Sequence, residues 1–386
     1  MKILYVAPRF HTNQVPIMKG FLEAGDEVKF ISQYQGGTED YTVIEPVILG
    51  YSALFNVILK LVNGLKKLSG KYRKNDFNFQ AKFGFLPKKK FRKILDEMQP
   101  DAVILRDRSI YNIAITSLCK KKNIKCILYT QSPYYGTAQR DKNPIKQYFR
   151  SHTPSVEITP VLGKEKKGET YVKESTYYVP FVIEPYLSYE KKAYFNEDKI
   201  HILGVGKYEP RKHHEMLIRI VQEFVELPIQ VTIVGEDVTA EEHAYLQSLK
   251  DYVRENGLQE RVTFKCNLSR AEVFKEYDQA DIFALPSTGE FASVSQLEAM
   301  SVSLPVICSD TNGTSCYISE GVNGYLFKDK IYEDFKAKME LLLLDREVIK
   351  TMGKESYRLV TEEYSFTNYK QRLVEILEKM QETEAK

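Results

Sequence analysis

Asp281-Ile-Phe-Ala-Leu285, Pro286-Ser-Thr-Gly-Glu-Phe-Ala-Ser-Val-Ser-Gln-Leu-Glu-Ala-Met300 and Leu304-Pro-Val-Ile-Cys308 follow one another almost without a break. Two apolar runs bracket a Gly-containing loop and a helix-compatible segment that starts near Ala292, so the stretch reads as strand, loop, helix, strand. One carboxylate, Glu290, falls on the loop and another, Glu298, inside the helix. The amino end of a helix presents unpaired N–H groups and a partial positive charge, and therefore seats anions. Carboxylates flanking such a seat suit a ligand with phosphate in its middle and hydroxyls at both ends, as in a nucleotide sugar. Ser293 and Ser295 are placed to cap the helix or to touch phosphate, and capping is the commoner role.

The same alternation runs along the chain. Strands are expected at Lys2–Ala7, Glu27–Ser32, Ala102–Leu105, Cys126–Thr130 and Glu157–Val161, and again at His201–Val205, Gln230–Val234, Val262–Lys265, Ile282–Leu285 and Pro305–Cys308. Amphipathic segments such as Ile17–Ala24, Glu215–Glu226, Ala240–Glu255 and Arg270–Asp278 lie between them. Strands alternating with helices imply parallel, doubly wound sheets, an α/β fold. The pattern restarts at Ile200–Gly206 after the polar stretch Ser188–Asp198. We therefore expect two Rossmann-like domains, residues 1–187 and 199–365, with an interdomain cleft at the carboxyl ends of their strands. Residues 366–386 read as a C-terminal helix, with Tyr369, Leu373, Ile376, Leu377 and Met380 at helical spacing, able to pack back on the first domain.

Composition narrows the function. At 386 residues, 43% hydrophobic and 28% charged, the chain has globular composition and is too long for one ordinary domain. A net charge of +3 gives no overall electrostatic ground for binding nucleic acid. Five cysteines form no CxxC and no metal-ligand spacing, which fits a reducing cytoplasm. Met1–Pro8 runs directly into a strand pattern, where a signal peptide needs a longer apolar core. The most apolar window, 43–65, is broken by Glu45, Pro46, Lys60 and Asn63 and falls short of a membrane span.

Two further motifs bear on chemistry. In Gly204-Val-Gly-Lys-Tyr-Glu-Pro-Arg-Lys212, Gly206 permits a turn close to a ligand, and Lys207 and Lys212 extend from it. Two ammonium groups near one point repel unless an anion lies between them, and a diphosphate supplies that charge. In Ser309-Asp-Thr-Asn-Gly-Thr-Ser-Cys316 and Glu320-Gly-Val-Asn-Gly-Tyr-Leu-Phe327, Gly313 and Gly324 mark chain reversals.

In this order the motifs resemble those of the family 4 retaining glycosyltransferases (glycosyl transferases group 1), of GT-B architecture. The matching positions are Val205-Gly206-Lys207 with Lys212, Pro286-Ser287, Glu290 and Glu298, Pro305-Val306-Ile307, Asn312-Gly313 and Gly321-Val-Asn-Gly324. The resemblance implies that Lys207 and Lys212 hold the donor diphosphate, Glu290 the donor sugar and Glu298 the ribose. It implies that backbone amides of Phe291, Ala292, Ser293 and Val294 meet the phosphates. The donor is expected to be a nucleoside diphosphate sugar, UDP-linked, with no cofactor and no metal; no Asp-x-Asp triplet occurs in the chain. The acceptor is expected to be a saccharide or a lipid-linked saccharide in cell-surface polysaccharide or glycan synthesis.

Five positions depart from the family pattern. Lys207 stands where Arg is usual, Ser303 where Gly precedes Pro-Val-Ile, and Cys316 where a Glu follows the glycine loop. Gln131 stands where a His often ends a strand, and Arg9-Phe-His-Thr-Asn-Gln14 where a Gly-Gly loop is usual, leaving His11 and Gln131 as acceptor-side candidates. These changes keep open an alternative, a catalytically impaired subunit of the same fold that binds glycan or membrane. Between Lys60 and Lys93, twelve basic residues face one acid, Asp76, with Phe77, Phe79, Phe83, Phe85 and Phe91 interleaved. Interfacial segments combine basic and apolar faces in this way. Residues 54–93 are thus expected to attach the protein to an anionic membrane surface, the inner face of the cell membrane, with no nucleic acid partner.

Overall fold

A computed structural model of the chain describes residues 1–36, 40–68, 77–137, 143–165 and 170–384. The chain divides into two compact units, Met1–Val182 with Phe366–Lys386, and Ile183–Ser365. Both are α/β, as the alternation of apolar runs and amphipathic segments predicts.

The first unit holds strands β1 (Lys2–Ala7), β2 (Glu27–Ser32), β3 (Val47–Ile48), β4 (Ala102–Arg106), β5 (Lys125–Tyr129), β6 (Gly136–Thr137), β7 (Glu157–Thr159), β8 (Thr170–Tyr171) and β9 (Thr176–Tyr178). Seven of them form a parallel sheet in the order β3-β2-β1-β4-β5-β7-β9, while β6 and β8 pair antiparallel on their own. Parallel sheets are covered on both faces, so their inner strands carry unbroken apolar runs. In β1, Ile3, Leu4, Tyr5, Val6 and Ala7 are all buried. The helix Phe366–Glu384 packs on this unit: a Cβ on Gly20 would lie 2.1 Å from the Phe366 ring, and Lys370 pairs with Asp26 at 2.5 Å.

The second unit holds β10 (Ile200–Val205), β11 (Ile229–Gly235), β12 (Val262–Cys266), β13 (Ile282–Leu285), β14 (Val306–Ser309) and β15 (Gly324–Phe327). They form one parallel sheet in the order β12-β11-β10-β13-β14-β15. Strand order reverses between β10 and β13. In open α/β sheets ligands bind beyond the carboxyl ends of the strands at that switch point. The loops leaving β10 and β13 are those that carry Gly206–Lys212 and Pro286–Ser293.

One departure from the family pattern has a local explanation. Ser303 follows the helix Val294–Ser301 with φ +59°, the left-handed conformation that glycine adopts freely. A serine there costs about 1–2 kcal/mol of backbone strain. Its buried hydroxyl offsets this by donating to the Leu187 carbonyl at 2.8 Å, while its own carbonyl accepts from the Tyr194 hydroxyl at 2.6 Å.

The helix Ala53–Leu68 leaves an apolar stripe in solvent: Leu54, Val57, Leu61, Leu65 and Leu68 are spaced to share one face, and all are exposed, Leu68 at 88%. Among the described residues no helix is long and apolar enough to cross a membrane. Lys71, Arg73, Lys74 and Asp76 of the basic stretch lie outside the described residues.

Two substitutions test the account of Ser303. Ser303→Ala keeps the strain and loses the hydroxyl bond, and should lower unfolding free energy by about 1–2 kcal/mol. Ser303→Gly loses the bond but relieves the strain, and should stay within about 1 kcal/mol of the parent. Urea denaturation measures both, and an alanine variant as stable as the parent would refute the account.

Candidate functional site

The end of β10 supplies the floor. The Gly206 N–H donates to the Val234 carbonyl at 2.9 Å, and a Cβ on Gly206 would lie 3.2 Å from Lys212 Cε. The lysine stem therefore lies across the glycine, and Lys212 is only 6% exposed. Its ammonium donates to Glu290 Oε2 at 2.5 Å. The same oxygen accepts from Arg211 Nη1 at 2.9 Å and from the Ser287 hydroxyl at 3.1 Å. Burial works against ionisation of Glu290, but Lys212 and Arg211 outweigh it and hold the carboxyl below its ordinary range.

Several bonds hold the two loops together. Thr288 N–H donates to the Arg211 carbonyl at 2.8 Å. His213, at φ +50°, brings Nε2 within 2.9 Å of the Thr288 hydroxyl, and that hydroxyl donates to Asp329 at 2.7 Å. His214 is fully enclosed and donates from Nε2 to the Lys207 carbonyl at 3.1 Å. Its imidazole is lowered to about 4, mainly by burial, and so is neutral at physiological pH.

The helix carrying Glu298 begins at Val294, not near Ala292, because Ser293 caps it: the Ser293 hydroxyl accepts from Gln296 N–H at 3.3 Å. Ser295 donates to the Val205 carbonyl at 3.3 Å, which sets the first turn of the helix against the end of β10. Beneath it lies a buried polar cluster. Asn312 Nδ2 donates to Gln296 Oε1 at 2.9 Å, Gln296 Nε2 to the Thr314 carbonyl at 2.8 Å, and Thr314 N–H to Asn312 Oδ1 at 3.1 Å. Phe291 projects outward, 80% exposed.

The two glutamates and the two lysines do not act as pairs in the way their spacing suggests. Glu298 is engaged by Arg270 at 2.7 Å and by the Tyr277 hydroxyl at 3.2 Å. Burial raises its carboxyl above the ordinary value, against the opposing pull of Arg270 and Tyr277. Lys207, half exposed, pairs with Glu236 at 2.8 Å and lies 3.5 Å from Glu242. Its bond to Glu236 raises its pKa. The structure thus brings together Gly206, Lys212, Glu290 and the start of the Val294 helix, and gives Lys207 and Glu298 partners of their own. Arg211, Arg270, Glu236 and Glu242 were not singled out from the sequence. Arg211 had a signal, since it adjoins Lys212; Arg270 had none, lying 28 residues from Glu298.

In the first unit, His11, Arg106, Tyr129 and Gln131 gather at the carboxyl ends of β1, β4 and β5. Burial first, then Arg106 and Arg9, lower His11 to about 3, so its ring is neutral. Burial pushes the Tyr129 hydroxyl up to about 12, against Arg106 and side-chain bonds with Gln131 and Asn13. Among the described residues no group of three or more His, Cys, Asp or Glu side chains is placed to hold a metal ion.

Residues 188–359 match the family model described as Glycosyl transferases group 1. A D-inositol 3-phosphate glycosyltransferase of Nocardia farcinica is 29% identical over 156 residues, which is 39% of this chain and 34% of that protein. The chain therefore matches about a third of that relative's length. Among solved structures, a glycosyltransferase from Rickettsia africae superposes with a TM-score of 0.69 at 15% identity, covering 98% of each chain. Anabaena Alr3699/HepE in complex with UDP gives a TM-score of 0.62 at 13% identity, covering 98% of this chain and 100% of that one. The fold is thus that of the GT-B glycosyltransferases, and the similarity to the glycosyl transferases group 1 model lies in the second unit.

Glu298 offers a pH test of its surroundings. A carboxyl whose folded pKa is raised favours the folded state below its unfolded value, and that advantage is lost as pH climbs through the raised value. The stability difference between Glu298→Gln and the parent should therefore shift in favour of glutamine as pH rises from the ordinary glutamate range towards neutrality. Thermal denaturation across that window measures it, and a shift in favour of the parent would refute the assignment.

Proposed function

We propose that this protein is a retaining glycosyltransferase that moves a hexose-type unit from a UDP-linked donor to a saccharide or lipid-linked acceptor, in the building of a cell-surface polysaccharide or glycan. One observation carries the reading: Gly206, the Lys212–Glu290 pair and the capped amino end of the Val294 helix converge at the β10/β13 switch point. That is a seat for a diphosphate with a carboxylate beside it. The solved UDP complex of a neighbour of the same fold makes UDP the first nucleotide to try.

Residue roles follow from position. Lys212 gives part of its bond with Glu290 to the diphosphate, and Arg211 keeps the carboxylate ionised to accept from sugar hydroxyls. Lys207, at the rim, adds a second positive charge. Glu298, oriented by Arg270 and Tyr277, accepts from the ribose hydroxyls. In the transfer, the bond from the anomeric carbon to the phosphate oxygen breaks and a bond to the acceptor oxygen forms on the same face of the sugar. The departing phosphate oxygen takes the acceptor proton, and no protein nucleophile is used. Charge growing on the leaving diphosphate is met by the lysines and the helix end, so this reading assigns no step to a metal ion.

Thermal shift with UDP-, GDP- and ADP-sugars, followed by nucleotide release in the presence of lipid extract and of EDTA, tests the assignment. We expect a shift with a UDP-sugar, release that survives EDTA, and a loss of about 100-fold or more in kcat/KM for Lys212→Ala. Absence of any donor shift would refute the enzyme reading, and a shift unchanged by Lys212→Ala and Glu298→Ala would refute the site. Gln131 favours the second reading, an impaired subunit, which the same experiment separates: donor binds, but no acceptor is glycosylated.

We also place the protein on the anionic inner face of the cell membrane through residues 54–93. The exposed stripe Leu54, Val57, Leu61, Leu65 and Leu68, with Lys60, Lys66 and Lys67 on the same helix, supports this. Each Lys or Arg at such a surface contributes about 1 kcal/mol. Co-sedimentation should favour anionic over neutral vesicles, weaken in salt, and fail for a Leu61→Gln/Leu65→Gln variant. Equal, salt-insensitive binding to both vesicle types would overturn the placement.

A further inference from the structure

We infer that the first unit holds a binding site for an anionic saccharide, in the cavity beneath the helix Pro144–His152. It rests on the proposed function only in taking this ligand to be the acceptor. The cavity has a volume of about 1840 Å³. Its walls come from that helix, the loop after β4, the loop after β5 and the β8 side of the two-stranded sheet. Five cations line it, Lys82, Arg108, Lys146, Arg150 and Lys173, against two acids, Asp107 and Glu157.

The difference leaves a surplus of three positive charges. Glu157 is already bonded by Arg108 Nη2 at 2.6 Å and by Lys173, so it serves to hold two of the cations in place. The other acid, Asp107, is exposed and has Arg106 Nε at 3.6 Å. Arg108 also carries a buried Nε with no hydrogen-bond partner, although a buried donor is normally satisfied. An anionic oxygen that entered beside Glu157 would satisfy it. A guanidinium offers two donors in a fixed fork, which suits phosphate or carboxylate.

The rest of the lining suits a sugar ring. Tyr134 and Tyr135 pack edge to face with centroids 5.2 Å apart, and Tyr171 lies on the wall with them. Aromatic side chains give an apolar face and a polar tip, which complement the two kinds of surface on a pyranose. Hydroxyls of Thr130, Ser132 and Ser151 line the remainder. The shared chemistry is a saccharide bearing phosphate or carboxylate.

Calorimetric titration of the full chain with glucose 6-phosphate, glucuronate, glucose, inorganic phosphate and UMP tests this. At least one charged sugar should bind about tenfold or more tighter than glucose, and more weakly as salt rises. Preference for glucose 6-phosphate assigns phosphate, and preference for glucuronate assigns carboxylate. Lys146→Gln/Arg150→Gln, on an exposed helix face, should lose that affinity about tenfold while UDP binding stays unchanged. Arg108→Gln should lose it too. Glucose binding as tightly as the charged sugars, inorganic phosphate binding as tightly as glucose 6-phosphate, tighter binding of UMP at this cavity, or the double variant keeping its affinity would each overturn the site. Failure of UDP to bind would strike the proposed function and leave this site standing; loss of the charged-sugar preference with UDP binding intact would strike this site alone.

Discussion

The loop that carries Glu290 is held by a backbone contact that only glycine allows. Gly313 N–H donates to the Glu290 carbonyl at 2.8 Å, and a Cβ on Gly313 would lie 1.8 Å from the Phe291 carbonyl oxygen. No side chain could be accommodated without moving one backbone off the other. Because the two segments lie flush, Thr314 also reaches the Ser293 N–H at 3.3 Å, and the Asn312–Gln296–Thr314 cluster closes beneath the helix start. The carboxylate, the loop amides and the cap of the helix thus share one support. Buried polar clusters of this kind are rigid when fully bonded and costly when not.

Electrostatics then separates two carboxylates that the sequence presents alike. Glu290 sits against two cations that outweigh its burial, so it stays ionised. Glu298, equally enclosed, has one cation that does not outweigh burial, and is pushed the other way. Environments that drive the pKa values of two like groups apart assign them different tasks. The cations separate likewise. Lys212 is buried on Glu290, whereas Lys207 is held at the rim by Glu236, half in solvent. Removing a buried ammonium costs more than removing an exposed one, since it leaves its partner carboxylate short of charge in a poor solvent.

Legibility followed burial. The long apolar runs became strands within a residue or two of their expected ends, because a strand covered on both faces has no polar alternation to blur it. The short strands β3, β6, β8 and β9 were not expected, having only two or three residues each and too little pattern to register. In the site, residues next to a glycine turn or a helix start could be read from the chain: Gly206, Lys212, Glu290, Ser293. Their partners could not, because Arg270, Glu236 and Glu242 reach the site from other elements, and only the sheet order brings them there.

The departures from the family pattern fall unevenly, and their positions explain how the chain tolerates them. Ser303 takes up a glycine conformation and recovers the strain through a bond to Leu187. Cys316 turns its thiol inward, donating to the Gly313 carbonyl at 3.6 Å, and so ties the turn on which the Glu290 loop rests. Lys207 keeps the positive charge of the arginine usual there and finds Glu236 in place of a bidentate contact. None of the three disturbs Lys212, Glu290 or the capped helix. Gln131 and the loop around His11 differ in kind, since they change which polar groups stand at the strand ends of the first unit, beside Arg106 and Tyr129. An amide and a neutral, half-buried imidazole can donate or accept a hydrogen bond but carry no charge near neutral pH. Charge in that unit lies also in Arg108 and Lys173, which share the Glu157 carboxylate.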